Sequence, residues 1–372
     1  MKTIGDALDT ESDNFLLLRF LAASLVIYGH GPGIAGGYAP EDVFVRLGWG
    51  EYSGSIAVDL FFIISGFLVT GSLCRRRNVI DFLWARFLRV VPAYGSCLLL
   101  CAMAIGPILS VHSSDDYFLD RETYRYVWKN LQFGPDMACN LPGVFIDNPT
   151  RATVNGSIWT LPAEVRMYAW VAIFGLAGAL RRTWLFNIAL LALFLYGFAR
   201  PSDIPLVPLE KYVRLAALFG IGGFCHANRA WIPVNGSIVL AAGLAAWALR
   251  ATTWYPAAFA ACETLFVFWF AYGTRWRGFN RFGDYSYGIY LWAFPMQQVA
   301  ASLAPSLPSL LNTVAGFVGA LPLAVASWHL IEKPALRLKQ RPYAETPSTY
   351  RLTLFPTSNR ERKHGDLTLR RS

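Results

Sequence analysis

Charge is what this 372-residue chain has least of: Asp, Glu, Lys and Arg make up 15% of it, against 55% hydrophobic residues and a mean hydropathy of +0.37. That balance lies outside the usual range of soluble domains and points to a polytopic membrane protein. Cysteine offers no framework either. Of six cysteines only Cys139 sits in a long polar loop, with no nearby partner, so neither a disulfide scaffold nor a zinc spacing is expected. Cys97 and Cys101 share a helix face and read as packing. His112, His226, His329 and His364 fall at loop or run ends without metal-ligand spacing, and no metal site is expected. The N-terminus, MKTIGDALDTESDN, has no basic region followed by a small-residue cleavage site, which argues against a cleaved signal peptide. No internal repeat of the kind seen in inverted-repeat transporters is present.

What the chain does have is apolar runs long enough to cross a bilayer. They lie near 15–31, 56–73, 87–110, 163–180, 184–199, 212–227, 234–250, 256–273, 285–303 and 309–331. The expected fold is all-α: a polytopic bundle of about ten transmembrane helices with both termini cytoplasmic. The pair 184–199 and 212–227 also fits a re-entrant segment, which leaves the count open by one or two. The net charge of +9 sits largely in short links, at Arg75, Arg76, Arg77, Arg181, Arg182, Arg229, Arg275, Arg277 and Arg281, and in the tail. This is the positive-inside pattern, and it explains the charge better than nucleic-acid binding does. Three regions follow: a cytoplasmic segment 1–14, a transmembrane domain 15–341, and a basic tail 342–372 whose composition reads as disordered.

Ionisable residues inside apolar runs are costly and mark a pathway or a site. Arg19 and His30 lie eleven positions apart in the first run, which at about 100° per residue puts both on one helix face about 16 Å apart along the axis. Arg86 and Arg89 open the third run at the same depth as Arg19. Three guanidiniums would then face the cytoplasm, suited to a phosphate-bearing ligand by bidentate hydrogen bonding. The competing reading of Arg86 and Arg89 is a pair of anchors to lipid headgroups. At the outer end His30, Asp59 and Glu164 fall near one depth. His30 is a candidate general base, with a carboxylate to orient it. The competing readings are an interfacial histidine and, for Glu164 just after Pro162, a charge placed for the helix dipole. Asn155-Gly-Ser157 matches a glycosylation sequon, a pattern common by chance.

These residues together resemble the acyltransferase type 3 family, bacterial inner-membrane proteins that O-acylate cell-surface and exported carbohydrates. The resemblance runs from about 13 to 341. Five stretches carry it: the Arg-x10-His pair Arg19 and His30, VDLFFIISGF from Val58 to Phe67, Arg86-x-x-Arg89, SIWTLPAEVRMY from Ser157 to Tyr168, and SYGIYLWAFP followed by IEKP. It implies a donor substrate, acetyl-CoA or another acyl-CoA, with no permanently bound cofactor. It also implies a carbohydrate acceptor, whether polysaccharide, lipid-linked sugar or oligosaccharide, in a multi-pass protein of the inner membrane. Arg86 and Arg89 then carry donor binding, Arg19 and His30 acyl transfer, and Glu164 the fourth-helix acid. The chain departs from relatives that have a histidine after Tyr-Leu, since it reads Trp292, Ala293, Phe294 here. The rival from composition alone is a transporter or flippase in which Arg19, Asp59 and Glu164 form a path.

Overall fold

The computed structural model describes residues 1–340 apart from Glu11, Arg77, Pro201, Ser202, Pro205, Pro208 and Glu210, so Arg77 and the 342–372 tail, with His364, lie outside the described residues. Among the described residues the chain is helical, with no strand and only isolated single-pair bridges. Its longer helices coincide with the apolar runs: α1 (Phe15–Ile34), α2 (Ser53–Arg76), α3 (Val79–Leu100), α4 (Leu161–Leu176), α5 (Thr183–Ala199), α6 (Lys211–Ala227), α7 (Gly236–Ala248), α8 (Tyr255–Gly273), α9 (Ser286–Leu303) and α10 (Ser309–Ser327). Five helical stretches are long and apolar enough to cross a membrane unaided: Phe15–Ile34, Ser53–Arg76, Val79–Leu109, Tyr255–Gly273 and Ser309–Arg337.

Boundaries follow local chemistry. α3 starts at Val79, ahead of the expected 87, because the Asn78 side chain caps it by accepting from the backbone N–H groups of Ile80 (2.8 Å) and Asp81 (3.4 Å). Arg86 and Arg89 therefore sit about two turns or more inside the helix instead of opening it. α1 likewise runs past His30 to Ile34. α4 begins with Pro162 in its first turn and stops ahead of Gly178, whose φ of 73° suits glycine.

Of the five stretches long enough to cross a membrane, the most enclosed is α2, which packs along α1 and α6. Its seam with α6 depends on two glycines. A Cβ on Gly66 would collide with the Phe219 carbonyl, and one on Gly222 with the Ile63 carbonyl, so the two backbones meet directly. On the other side α9 packs against α1 and α10. The bundle has two ends. At the near end, where the chain starts, Asn280 Nδ2 donates to the Asp13 carbonyl (2.7 Å) and the Asn14 backbone N–H to that of Ala271 (2.9 Å). At the far end the Ser309 backbone N–H reaches the Tyr38 carbonyl (2.9 Å), and Gln298 Nε2 donates to the carbonyls of Thr150 (2.8 Å) and Thr153 (2.6 Å).

The long link over 111–157 is built, with short helices Ser114–Leu119 and Arg121–Leu131, and its last part enters the bundle. Pro295 in α9 lacks the N–H that would bond the Leu291 carbonyl one turn earlier. Asn155 Nδ2 (2.9 Å) and Cys97 Sγ (3.5 Å) donate to that carbonyl instead. Asn155 is fully buried, so its sequon is structural and closed to a glycan.

Candidate active site

The near end gathers residues from four separate parts of the chain. Arg19 Nη2 (α1) and Arg89 Nη2 (α3) both donate to Asp284 Oδ2, at 2.7 and 2.5 Å, and Arg89 Nη1 also reaches Glu332 Oε2 at 3.2 Å. Asp284 stands just before α9, where Ser286 Oγ donates to its second oxygen at 2.7 Å. Burial pushes the Asp284 carboxyl upward, but the guanidiniums of Arg19 and Arg89 outweigh it and hold the group down to about 2. Glu332 lies in a π-helical turn, Trp328–Glu332, where Ser327 Oγ donates to it at 3.1 Å. Two of the three arginines named from sequence are thus tied to carboxylates.

Arg86 is different. It lies one turn before Arg89 with its guanidinium 5.8 Å from the Tyr168 ring centroid, and its Nε has no hydrogen-bond partner. Glu164, one turn before Tyr168 on α4, accepts from the Tyr168 hydroxyl (2.5 Å) and from Ser65 Oγ of α2 (3.2 Å).

Arg19, Arg86, Arg89 and Glu164 line one internal cavity of about 120 Å³ between α1, α2, α3, α4 and α9. Thr160 and Tyr290 also line it; the Tyr290 hydroxyl lies 2.6 Å from Thr160 Oγ1 and donates to the Ser157 carbonyl at 2.5 Å. A second cavity of about 490 Å³ shares Arg19, Leu68, Arg86 and Arg89 with the first, so the two adjoin at the guanidiniums.

His30 and Asp59 stand apart from that cavity. The His30 ring meets Phe294 edge to face at 5.2 Å, and its Nδ1 has no hydrogen-bond partner. Asp59, 1% exposed, is bound by Arg214 of α6, whose other terminal nitrogen donates to Glu51 at 2.8 Å. Glu263 of α8 is buried beside this group with both carboxyl oxygens unpartnered. Neither Asp59 nor Glu164 bonds His30, so the expected carboxylate orienting its imidazole is not made here: Arg214 and Tyr168 take those oxygens.

Sequence reasoning passed over Asp284, Glu332, Arg214 and Tyr290 as participants. Arg214 carried the same signal as Arg19, a charge inside an apolar run, and Glu332 lay within the quoted IEKP stretch. Among the described residues no group of three or more His, Cys, Asp or Glu is placed to hold a metal ion.

Comparison with known proteins bears on what this arrangement does. Residues 13–329 match a family model described as an acyltransferase domain. An O-acetyl transferase of Shigella phage Sf6 is 30% identical over 343 residues, covering 87% of this chain and 96% of that protein. No solved structure matches the chain.

Proposed function

This chain belongs to the acyltransferase type 3 family and is an acyltransferase, and from that premise we propose that it moves an acyl group from cytoplasmic acyl-CoA to a hydroxyl of a cell-surface or exported carbohydrate. The observation that carries the reading is the near-end group of Arg19, Arg86 and Arg89 opening onto a cavity that runs into the bundle toward Tyr290. In this reading residues 15–341 form a ten-span domain of the inner membrane, with 1–14 and 342–372 on the cytoplasmic side. Its near end faces the cytoplasm, as the basic links favour. Acetyl is the favoured group, since the phage relative is named an O-acetyl transferase.

Arg86, which has no carboxylate partner, and Arg89 receive donor phosphates, because guanidinium pairs with phosphate by planar, charge-assisted hydrogen bonds. The flexible thioester arm enters the cavity past Glu164 and Tyr168. It then passes Tyr290 and Phe294, one turn apart on α9, to meet the acceptor at His30. Nδ1 of His30 carries no other hydrogen bond and takes the proton of the attacking hydroxyl as the carbon–oxygen bond forms. The thiolate of the donor leaves and is protonated in turn. Arg19 holds the inner part of the same helix to α9 through Asp284, and Asp59 fixes α2 to α6 through Arg214. Family membership favours this enzyme over the transporter that composition alone allowed.

The test is mass spectrometry of surface glycans from cells carrying the gene, an empty vector or His30→Ala. An acyl mass increment present only with wild type is expected, with the variant inserted at normal levels. Acylation by His30→Ala within a few-fold of wild type would sink the assignment.

A further inference from the structure

The outer of the two near-end cavities carries more positive charge than its own carboxylates neutralise. Arg75, Arg76, Arg86 and Lys339 line it, and none of the four forms an ion pair among the described residues. Asp284, also in its wall, is taken by Arg19 and Arg89. Cations of like sign gathered in a pocket without counter-charges repel one another, and an anion entering the pocket relieves that cost. Lys339 registers the crowding: burial, followed by the guanidiniums of Arg86, Arg89 and Arg76, pushes its ammonium down to about 7.

The four cations are not at one level. Leu68 borders both cavities, and Arg76 closes the same helix eight residues later, about 12 Å farther out along α2. Lys339 comes from the single turn Leu338–Gln340 that follows the last helices and packs against α3. A donor whose thioester end points inward toward Tyr290 must leave its nucleotide end outermost. Its pyrophosphate then passes Arg86, and the phosphate on its ribose, the last along the molecule, arrives at the mouth.

On the reading that the donor is an acyl-CoA, we infer that Arg76 and Lys339, with Arg75 beside them, form a second phosphate subsite that selects donors carrying the 3′-phosphate of the nucleotide. Anchoring to lipid headgroups is the other use of such cations and involves the same phosphate chemistry, so the test must separate the two sources.

Full-length protein in phosphatidylcholine nanodiscs is titrated with acetyl-CoA and with acetyl-3′-dephospho-CoA. Wild type is expected to bind acetyl-CoA about five- to tenfold more tightly, as one or two charge-assisted contacts provide. Arg76→Ala and Lys339→Ala should each erase most of that preference while leaving the dephospho donor within twofold of its wild-type affinity. Lys339→Arg should retain the preference, which guards against reading a folding defect as lost recognition. Equal binding of both donors by wild type, or equal loss of both in the variants, overturns the subsite and leaves the acyl-CoA reading intact. A headgroup role would appear as equal donor binding together with stabilisation by phosphatidylglycerol that the alanine variants lose, which also overturns it. Wild type that binds neither thioester removes the donor reading itself.

Discussion

The two ends of the bundle hold the same residue types in opposite proportion. At the near end Asp284 and Glu332 serve Arg19 and Arg89, and Arg75, Arg76, Arg86 and Lys339 are left over. In the far half Arg214 serves Glu51 and Asp59, and Glu263 is left over, as is the imidazole of His30. An arginine or an aspartate in this protein is therefore defined by what opposes it. A guanidinium already bonded to carboxylates, such as that of Arg89, is held in a fixed position from which its remaining N–H groups point, and one without a carboxylate has its whole charge available to an anionic ligand. On the function proposed above, the surplus cations suit a phosphate-bearing donor, and the unpartnered imidazole nitrogen of His30 suits a hydroxyl that must lose its proton. In that proposal the two halves of an acyl transfer are served by opposite ends of one bundle.

The largest expected effect is at the shared carboxylate of the near end. Asp284→Ala leaves two largely enclosed guanidiniums without their common partner, and removing one side of such a pair costs about 3–5 kcal/mol. Thermal unfolding in detergent should show a large drop in midpoint, and donor affinity should fall with it as Arg89 loses its anchor. A change under about 1 kcal/mol would mean that solvent already screens the bridge. The contrast between tied and free arginines would then fail.

Arg214→Gln tests the same comparison in the far half with a smaller expected loss. Its side chain is 43% exposed, so water compensates part of the missing charge, and about 1–2 kcal/mol is expected. Asp59→Asn should reduce acyl transfer by less than about tenfold, far less than His30→Ala. A loss matching that of His30→Ala would place Asp59 in the chemistry instead of in the α2–α6 contact.

The smallest effect is a pH dependence. With its ammonium held down to about 7, Lys339 is charged below that pH and neutral above it, and a bound phosphate favours the charged form. Affinity for acetyl-CoA should therefore weaken a few-fold as pH rises through about 7 and should be regained on acidification. Lys339→Arg, which stays charged throughout, should flatten the step in titrations between pH 6 and 8.5. A step that survives in Lys339→Arg belongs to another group.

Much of this was legible beforehand. The apolar runs announced every longer helix, because length and hydropathy are local properties that a window of residues records. Arg19 is conspicuous because a charge inside such a run is costly unless it is paired or serves a site. The start of α3 is hard to place from sequence because Asp81 and Arg86 dilute the apolar signal of VIDFLWAR, although Asn78 supplies an N-cap that marks it. Asp284 and Glu332 escaped notice because charged residues at run edges are ordinary, and nothing local distinguishes a carboxylate that faces solvent from one that faces two arginines. Asn155 was read through its sequon, whereas its partner is a carbonyl freed by Pro295, far along the chain.

The sequence by itself determined that this chain is a helical membrane protein, which family it belongs to, and that Arg19, Arg86, Arg89 and His30 deserve scrutiny. Only the tertiary structure decided which charges are paired and which are free. The ion pairs of Arg19, Arg89 and Arg214 join residues that lie 155 to 265 positions apart, such as Arg214 with Asp59 and Arg19 with Asp284. Such pairings depend on which helices pack together and at what depth, and close approaches such as the Gly66–Gly222 seam set that packing through three-dimensional fit, which no local window of sequence encodes.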